Sequence, residues 1–185
     1  MTAPDVLETA RLVLRRPRAG DAAAIFERYA SDADVTRYLA WPTHDTIADT
    51  HAFLAFSDSE WERWPAGPYL IEGRADGRLL GGTGLAFESR ALASTGYVLA
   101  RDAWGQGFAG EALEAMVTLA QTLGVSRLYA ICHVDHVRSA RVLEKSGFLF
   151  EGVLPRHALF PNLSGAEPCD VRRYARQFPP VPVHG

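Results

Sequence analysis

The stretch from Tyr97 to Gly110 constrains the fold of this chain more than any other. It reads YVLARDAWGQGFAG, and it joins a short apolar run to a helical pattern through a turn of small residues. Gly105, Gly107 and Gly110 leave little side chain between the backbone and an approaching ligand. The first N–H groups of a helix lack partners inside the helix and lie at the positive end of its dipole. A strand, a glycine turn and a helix start therefore predict an anion site, most naturally for phosphates.

The residues after the turn repeat at helical spacing. One apolar stripe is formed by Leu113, Met116, Val117, Ala120 and Leu123. Core packing explains this stripe without a ligand, so the pattern predicts a helix with one buried face.

The glycine turn has two other interpretations. A short glycine loop before a helix can be a tight turn that binds nothing. The spacing of Gly105, Gly107 and Gly110 also fits the G-x-G-x-x-G pattern of dinucleotide-binding folds, and Asp135 lies about where a ribose-binding acid is expected. Against this, residues 101–104 separate the strand from the first glycine, and the preceding strands look like hairpins. A nucleotide-cofactor oxidoreductase stays an alternative.

Composition narrows the class of protein. The chain has 185 residues, a formal net charge of −3 and no basic run, so a nucleic-acid footprint is absent. No stretch approaches the length of a membrane span, and the N-terminus lacks a signal pattern. Cys132 and Cys169 are isolated and lack metal-ligand spacing. We expect a cytoplasmic protein with one domain over residues 1–178, a proline-rich flexible tail over 179–185, and no metal.

Periodicity and turn signals predict the element order β-α-α-β-β-β-α-β-α-β-β. Strands are expected at about 12–16, 69–74, 79–88, 93–100, 127–133, 148–150 and 170–178. Besides the helix after the glycine turn, helices are expected at about 21–30, 46–61 and 137–146. Residues 155–169 are expected to form a long polar loop with a function. Hairpins with one βαβ crossover imply an α/β (α+β) fold, a mixed, mostly antiparallel central sheet with helices on both faces.

Three segments together resemble the GNAT N-acetyltransferase superfamily. Residues 104–112 (WGQGFAGEA) look like its pyrophosphate-binding motif, and residues 141–148 (RVLEKSGF) look like its second signature. Residues 7–16 (LETARLVLRR) resemble the opening of its ribosomal-protein N-acetyltransferase branch, which is RimJ/RimL-like. The resemblance runs from about residue 7 to 178. It implies a GNAT-like fold and an acyltransferase that moves an acetyl group directly from acetyl-CoA to a primary amine, on a protein N-terminus or a small molecule.

The resemblance also implies which residues bind acetyl-CoA. The backbone of Val98, Leu99 and Ala100 would pair with the pantetheine arm as an added strand, since splayed strands offer unpaired groups. The Leu99 N–H would stabilise the developing oxyanion. Ser139 is the implied catalytic residue, which would hydrogen-bond or protonate the departing thiolate. Amides of the bend would hold the pyrophosphate, namely those of Gly105, Gln106, Gly107, Phe108, Ala109 and Gly110.

The sequence departs from the family pattern in three places. Trp104 stands at a position that is often Arg or Gln, which matters little if backbone amides bind the phosphates. His136 stands where the family usually has Asn, and its imidazole could supply the same hydrogen bond, so we include it among the cofactor-binding residues. Ser94-Thr95 precede the Gly96-Tyr97 pair where a Glu is common, so the expected general base is absent there.

The sequence alone does not identify the general base or the amine that accepts the acetyl group. Glu88, His133 and Asp135 lie at predicted strand ends and are candidate bases, but none is assigned because a base must be judged by geometry. A free α-amine titrates near 8 and needs little help, whereas a lysine-type amine titrates near 10.4. The expected partners are acetyl-CoA and an amine, with no nucleic acid and no membrane, and a homodimer is left open. A CoA-binding module without turnover is the second alternative.

Overall fold

One eight-stranded sheet organises the computed structural model, which describes residues 1–163 and 166–179. Its strands are β1 Val6–Glu8, β2 Leu12–Arg15, β3 Pro68–Gly73, β4 Leu79–Phe87, β5 Leu92–Leu99, β6 Arg127–His133, β7 Leu149–Ala158 and β8 Cys169–Gln177. They lie in the order β1-β2-β3-β4-β5-β6-β8-β7. Within this described part, the β5–β6 pair is parallel and the other pairs are antiparallel. The predicted mixed, mostly antiparallel sheet is confirmed.

Among the described residues, helices lie at the predicted places, and one further short helix over Ala33–Thr36 was not predicted. They are α1 Ala22–Ile25, α2 Ala33–Thr36, α3 Ile47–Arg63, α4 Phe108–Thr122 and α5 Val137–Lys145. A π-turn over Phe26–Ala30 continues α1, so the helix predicted at 21–30 changes its hydrogen bonding half-way. Helix α4 links the parallel strands β5 and β6, which confirms the single βαβ crossover. Across residues 1–163 and 166–179, every helix is too short or too polar to cross a bilayer.

Two strands differ from the sequence prediction. Val6–Glu8 was not predicted, because three residues carry too little pattern and pairing with β2 forms the strand. Strand β7 extends to Ala158, so the loop expected from residue 155 is shorter than predicted. Register shifts around Gly152, whose φ is +142°, break the alternation that would have marked this strand. Of the predicted tail over 179–185, only residue 179 is among the described residues.

The core lies on both faces of the sheet. Along β3, Tyr69 and Ile71 point to one face and Leu70 to the other, as the period of a strand requires. The predicted stripe of α4 is buried on the first face, with Leu113 fully buried. Helices α1 and α3 cover the second face, for example with Ile25. Each such side chain contributes about 1.5–3 kcal/mol on burial, so both helix layers are held firmly on the sheet.

The sheet splits between β5 and β6. These strands pair only at Leu92–Arg127, Ala93–Leu128 and Ser94–Tyr129. Beyond that point β5 continues to pair with β4 and β6 continues to pair with β8. Among the described residues, one edge of β5 and one edge of β6 therefore have no strand partner beyond that point, and they face each other across an opening.

Candidate active site

The open edge of β5 presents backbone groups of alternate residues. The Ala100 N–H donates to the carbonyl of Leu80 on β4 at 2.7 Å. Peptide groups alternate along a strand, so Val98 also faces β4, and Tyr97 and Leu99 face the opening. The carbonyl of Leu99 accepts the indole N–H of Trp104 at 2.8 Å. The Leu99 N–H faces the opening because of the alternation just described.

This alternation corrects the contacts expected from the sequence. Of the three residues predicted to pair with pantetheine, only Leu99 directs its backbone toward the opening. Val98 faces the wrong strand, and both backbone groups of Ala100 have partners, since its carbonyl accepts the N–H of Ala103 at 2.9 Å. Tyr97 takes their place on the open side. A resemblance fixes the segment, but only the observed pairing fixes which edge each residue faces.

The glycine bend brings the predicted phosphate-binding residues together. Gly105 and Gly107 have φ values of +74° and +82°, in the left-handed region that favours glycine, and α4 begins immediately afterwards. Within residues 1–163 and 166–179, the N–H groups of Gly107 to Gly110 have no acceptor. A cavity of about 560 Å³ lies beside them. The predicted residues that line it are Leu99, Gly105, Gly107, Phe108, Ala109 and Gly110.

Charge around this cavity favours an anion. Lys145, the single lysine of the chain, lines it from α5, a role that the sequence analysis missed. Glu111 and Glu114 also line it, but Glu111 is paired with Arg11 at 2.7 Å and Glu114 with Arg176 at 3.6 Å. With these carboxylates compensated, the N-terminus of α4 and Lys145 supply the attraction.

A second, larger cavity of about 840 Å³ extends from the same stretch of β5. Its volume is in the range of small-molecule sites. Its aromatic lining includes Tyr38, Trp41, Phe53, Phe56, Tyr97 and Phe160. Among the described residues that line it, Asp49 is the only member of the group Asp, Glu, Lys and Arg. The cavity therefore suits an uncharged or cationic molecule with an apolar body.

Asn162 ties the β7–β8 loop to the segment from Thr36 to Thr43, part of which lines the cavity. The side-chain oxygen of Asn162 accepts the backbone N–H of Thr43 at 2.8 Å, and its amide nitrogen donates to the carbonyls of Thr36 and Trp41, each at 2.8 Å. Phe160, in the same loop, is buried and lines the cavity. The described part of this loop thus contributes Phe160 to the cavity wall, and the function expected for the loop stays a prediction.

Three polar side chains meet at the inner end of the cavity. The Tyr97 hydroxyl donates to Ser139 Oγ at 3.3 Å, and Cys132 lines the cavity beside them. Burial raises the pKa of Tyr97, and burial raises the pKa of Cys132 to about 11. All three groups are therefore protonated at neutral pH. The sequence predicted Ser139 but missed the Tyr97 hydroxyl, because a strand pattern does not reveal which helix residue it meets.

The three candidate bases lie outside the cavity lining. The carboxylate of Glu88 accepts the hydroxyl of Tyr129. His133 is buried, and its Nδ1 accepts the backbone N–H of Asp135 at 3.2 Å. The side chain of Asp135 is exposed, and its Oδ2 lies 3.7 Å from His133 Nδ1. None of the three is among the described residues that line the cavity, although the His133 ring packs against Tyr38 and Phe160, which do.

His136 does line the cavity, where the sequence expected a cofactor contact. Its ring stacks on Tyr38 with centroids 4.7 Å apart. Burial, followed by the charges of Arg138 and His133, lowers the pKa of His136 below its ordinary value. A neutral imidazole at physiological pH can accept a proton as well as a hydrogen bond.

The family model that describes the acetyltransferase (GNAT) domain matches residues 11–149 of this chain. The chain belongs to the GNAT acetyltransferase family. It is 33% identical over 160 residues to the uncharacterized N-acetyltransferase YoaA of Bacillus subtilis, which covers 85% of this chain and 89% of YoaA. The family assignment confirms the predicted acyltransferase and does not support the nucleotide-cofactor oxidoreductase.

Solved structures share the GNAT fold. The ribosomal L7/L12 N-acetyltransferase RimL in complex with coenzyme A has a TM-score of 0.81 at 22% identity, over 93% of this chain and 97% of RimL. The microcin C7 self-immunity acetyltransferase MccE in complex with acetyl-CoA and AMP has a TM-score of 0.83 at 20% identity, over 95% and 98% of the two chains. The predicted GNAT-like fold, with RimL among its structural neighbours, is confirmed.

Proposed function

We propose that this GNAT enzyme transfers the acetyl group of acetyl-CoA to a primary amine that binds in the aromatic cavity. The observation that carries the proposal is the junction of two features. The unpaired edge of β5 at Tyr97 and Leu99 leads directly to the bare amides of Gly107–Gly110 at the start of α4. An extended pantetheine arm needs the first feature and a diphosphate needs the second. The related acetyltransferases MccE and RimL have structures with acetyl-CoA and coenzyme A, respectively.

The groups at the inner end of the cavity fit direct transfer. Acetyl-CoA as substrate supplies the thioester. The Leu99 N–H is oriented to donate to a carbonyl oxygen in the opening, where developing negative charge needs a donor. Ser139 can donate its proton to the departing thiolate and draw on the Tyr97 hydroxyl that donates to it. The carbonyl carbon of the acetyl group forms a bond to the amine nitrogen, and its bond to the CoA sulfur breaks. The amine loses one proton and the departing thiolate gains one. His136, which lines the cavity, is our candidate to take the proton of the amine.

The cavity lining supports an acceptor amine with an apolar or aromatic body. Neither Arg nor Lys occurs among the described lining residues, so an acceptor that carries phosphate or carboxylate would lack a counter-charge. A peptide with an apolar N-terminal residue and a small arylalkylamine both satisfy this description. An α-amine titrates near 8, so a neutral fraction is available with little help from a base.

A thiol-release assay with acetyl-CoA across amine classes tests the proposal. The panel contains an arylalkylamine, peptides with apolar and with acidic N-termini, a polyamine and a phosphorylated amine. We expect thiol release with the arylalkylamine and with the peptide that has an apolar N-terminus, and little release with the phosphorylated amine. Binding of CoA without release for any amine would favour the module without turnover, and the absence of any CoA binding would contradict the proposal. The predicted location, the extent of the domain and the homodimer stay predictions.

The raised pKa of Cys132 predicts that the enzyme does not form an acetyl-cysteine. A thiol with a pKa of about 11 is almost fully protonated at pH 7, and the thiolate is the nucleophile. We expect Cys132→Ala to keep kcat within about threefold of the parent, since it removes only a small buried side chain. Intact-protein mass spectrometry after incubation with acetyl-CoA should show no stable acetyl adduct on the parent. Loss of turnover in a folded Cys132→Ala protein, together with an adduct on the parent, would show the opposite.

A further inference from the structure

One arginine docks the β1–β2 turn against the glycine bend. Arg11 Nη1 donates to the carbonyl of Gln106 at 2.9 Å, and Arg11 Nε donates to Glu111 Oε2 at 2.7 Å. Its guanidinium carbon lies 4.7 Å from the ring centroid of Phe108. Arg11 belongs to the opening segment 7–16, which the transfer chemistry described above does not use. Its contacts nevertheless join this segment to the first turn of α4.

The contact with Gln106 controls the direction of a phosphate-binding amide. The carbonyl of Gln106 and the N–H of Gly107 belong to one peptide unit, which is trans, so they point in opposite directions. With the oxygen held toward Arg11, the Gly107 N–H points away from Arg11. Glycine gives this peptide freedom to rotate, and a rotated peptide would present an oxygen where the N–H now lies. An oxygen in that position would repel a phosphate.

Glu111 holds Arg11 in this geometry. Its Oε1 accepts the hydroxyl of Thr9 at 2.6 Å and the backbone N–H of Arg11 at 2.8 Å. Burial acts to raise the pKa of Glu111, but the hydrogen bonds from Thr9 and Arg11 outweigh it and leave the pKa below its ordinary value. The Arg11 side chain is 50% exposed. Without Glu111, the single hydrogen bond to the Gln106 carbonyl would have to offset the whole loss of side-chain entropy on fixing Arg11.

We propose that Arg11 is a positioning residue for diphosphate binding, which fixes the Gln106 carbonyl so that the Gly107 N–H faces the ligand. Glu111 acts through Arg11. This inference rests on the proposed acetyl-CoA site. The rival explanation is a direct attraction between the charge of Arg11 and the phosphates, and it makes the opposite prediction for Glu111.

The first test compares donors with and without the diphosphate. We expect Arg11→Met to raise the KM for acetyl-CoA and the Kd for CoA about 10-fold, the size of one lost charge-assisted hydrogen bond. Its kcat with acetyl-CoA, and its kcat/KM with S-acetylpantetheine, should stay within about twofold. Arg16→Met is the matched control, because Arg16 also pairs with a carboxylate, Asp58, and lies over an aromatic ring, that of Trp61. The control should leave both donors unchanged.

The second test separates orientation from attraction. Glu111→Ala keeps the charge of Arg11 and removes a nearby anion, so direct attraction predicts tighter CoA binding. Orientation predicts CoA binding that is weaker by several-fold, because Arg11 loses its support. Since Arg11 remains, this variant also tests the inference should Arg11→Met not fold. Tighter or unchanged binding in Glu111→Ala, or equal losses for both donors in Arg11→Met, would overturn the inference alone. A parent protein that binds neither CoA nor pantetheine would contradict the proposed function as well.

Discussion

Replacing Gly107 with glutamate should weaken CoA binding by about 100-fold or more. A carboxylate within a few ångströms of a diphosphate costs about 4 kcal/mol at an effective dielectric constant near 20, and each 1.4 kcal/mol is a factor of ten in Kd. Gly107 lies at the first of the bare amides and lines the cavity that we propose holds the diphosphate. Isothermal titration with CoA measures the effect directly.

The control must carry the same backbone strain and the same added charge. Gly124 has a φ of +80°, against +82° at Gly107, and no atom lies within 4 Å of a Cβ built there. It follows the other end of α4, far from the bend. Gly124→Glu should therefore carry the same left-handed backbone strain as Gly107→Glu, whose added Cβ would lie 3.4 Å from Arg11 Nη2, but bind CoA like the parent. If both variants bind CoA equally well, the bend is not the phosphate site.

Gly81→Ala should destabilise the fold more than an alanine at any other glycine in a described strand. A Cβ at Gly81 would lie 2.0 Å from the carbonyl oxygen of Val98 and 2.9 Å from Cα of Leu99. Both atoms are backbone, so relief requires β4 and β5 to separate. We expect a loss of about 3 kcal/mol or more in the free energy of unfolding, measured by urea denaturation. The open edge of β5 would be displaced with it, so thermal stabilisation by CoA should fall.

Gly96→Ala is the matched control on the same strand pair. Gly96 pairs with Gly84, has no positive φ, and has no atom within 4 Å of a built Cβ. An alanine there should be neutral or slightly stabilising, because it reduces the freedom of the unfolded chain. Equal urea midpoints for Gly81→Ala and Gly96→Ala would mean that the close approach of β4 and β5 at Gly81 does not exist in solution.

The features that the sequence predicted are local ones. The glycine bend and the apolar stripe of α4 each depend on residues that are neighbours in the chain. Conformational preference and helical period act over such distances, so a single sequence carries the signal. The family resemblance added the order of the elements and the positions of the motifs. These predictions were confirmed by the sheet, the crossover and the family match.

The features that the sequence missed depend on distant pairs or on register. Tyr97 meets Ser139 across 42 residues, and Arg11 meets Gln106 across 95 residues. No local pattern encodes such contacts. The placement of Val98 and Ala100 at the open edge was wrong because a shift of one residue reverses the direction of every peptide group in a strand. The missing Glu before Gly96 indicated that a base would lie elsewhere, and the cavity lining adds the imidazoles of His44 and His136 as candidates.

A crystal structure with CoA bound tests the central claim most directly. We predict phosphate oxygens within about 3 Å of the backbone nitrogens of Gly107–Gly110, and the pantetheine arm along the edge of β5 at Tyr97 and Leu99. Phosphates bound at any other place, or a bend whose N–H groups bond to the protein itself while CoA is bound, would contradict it.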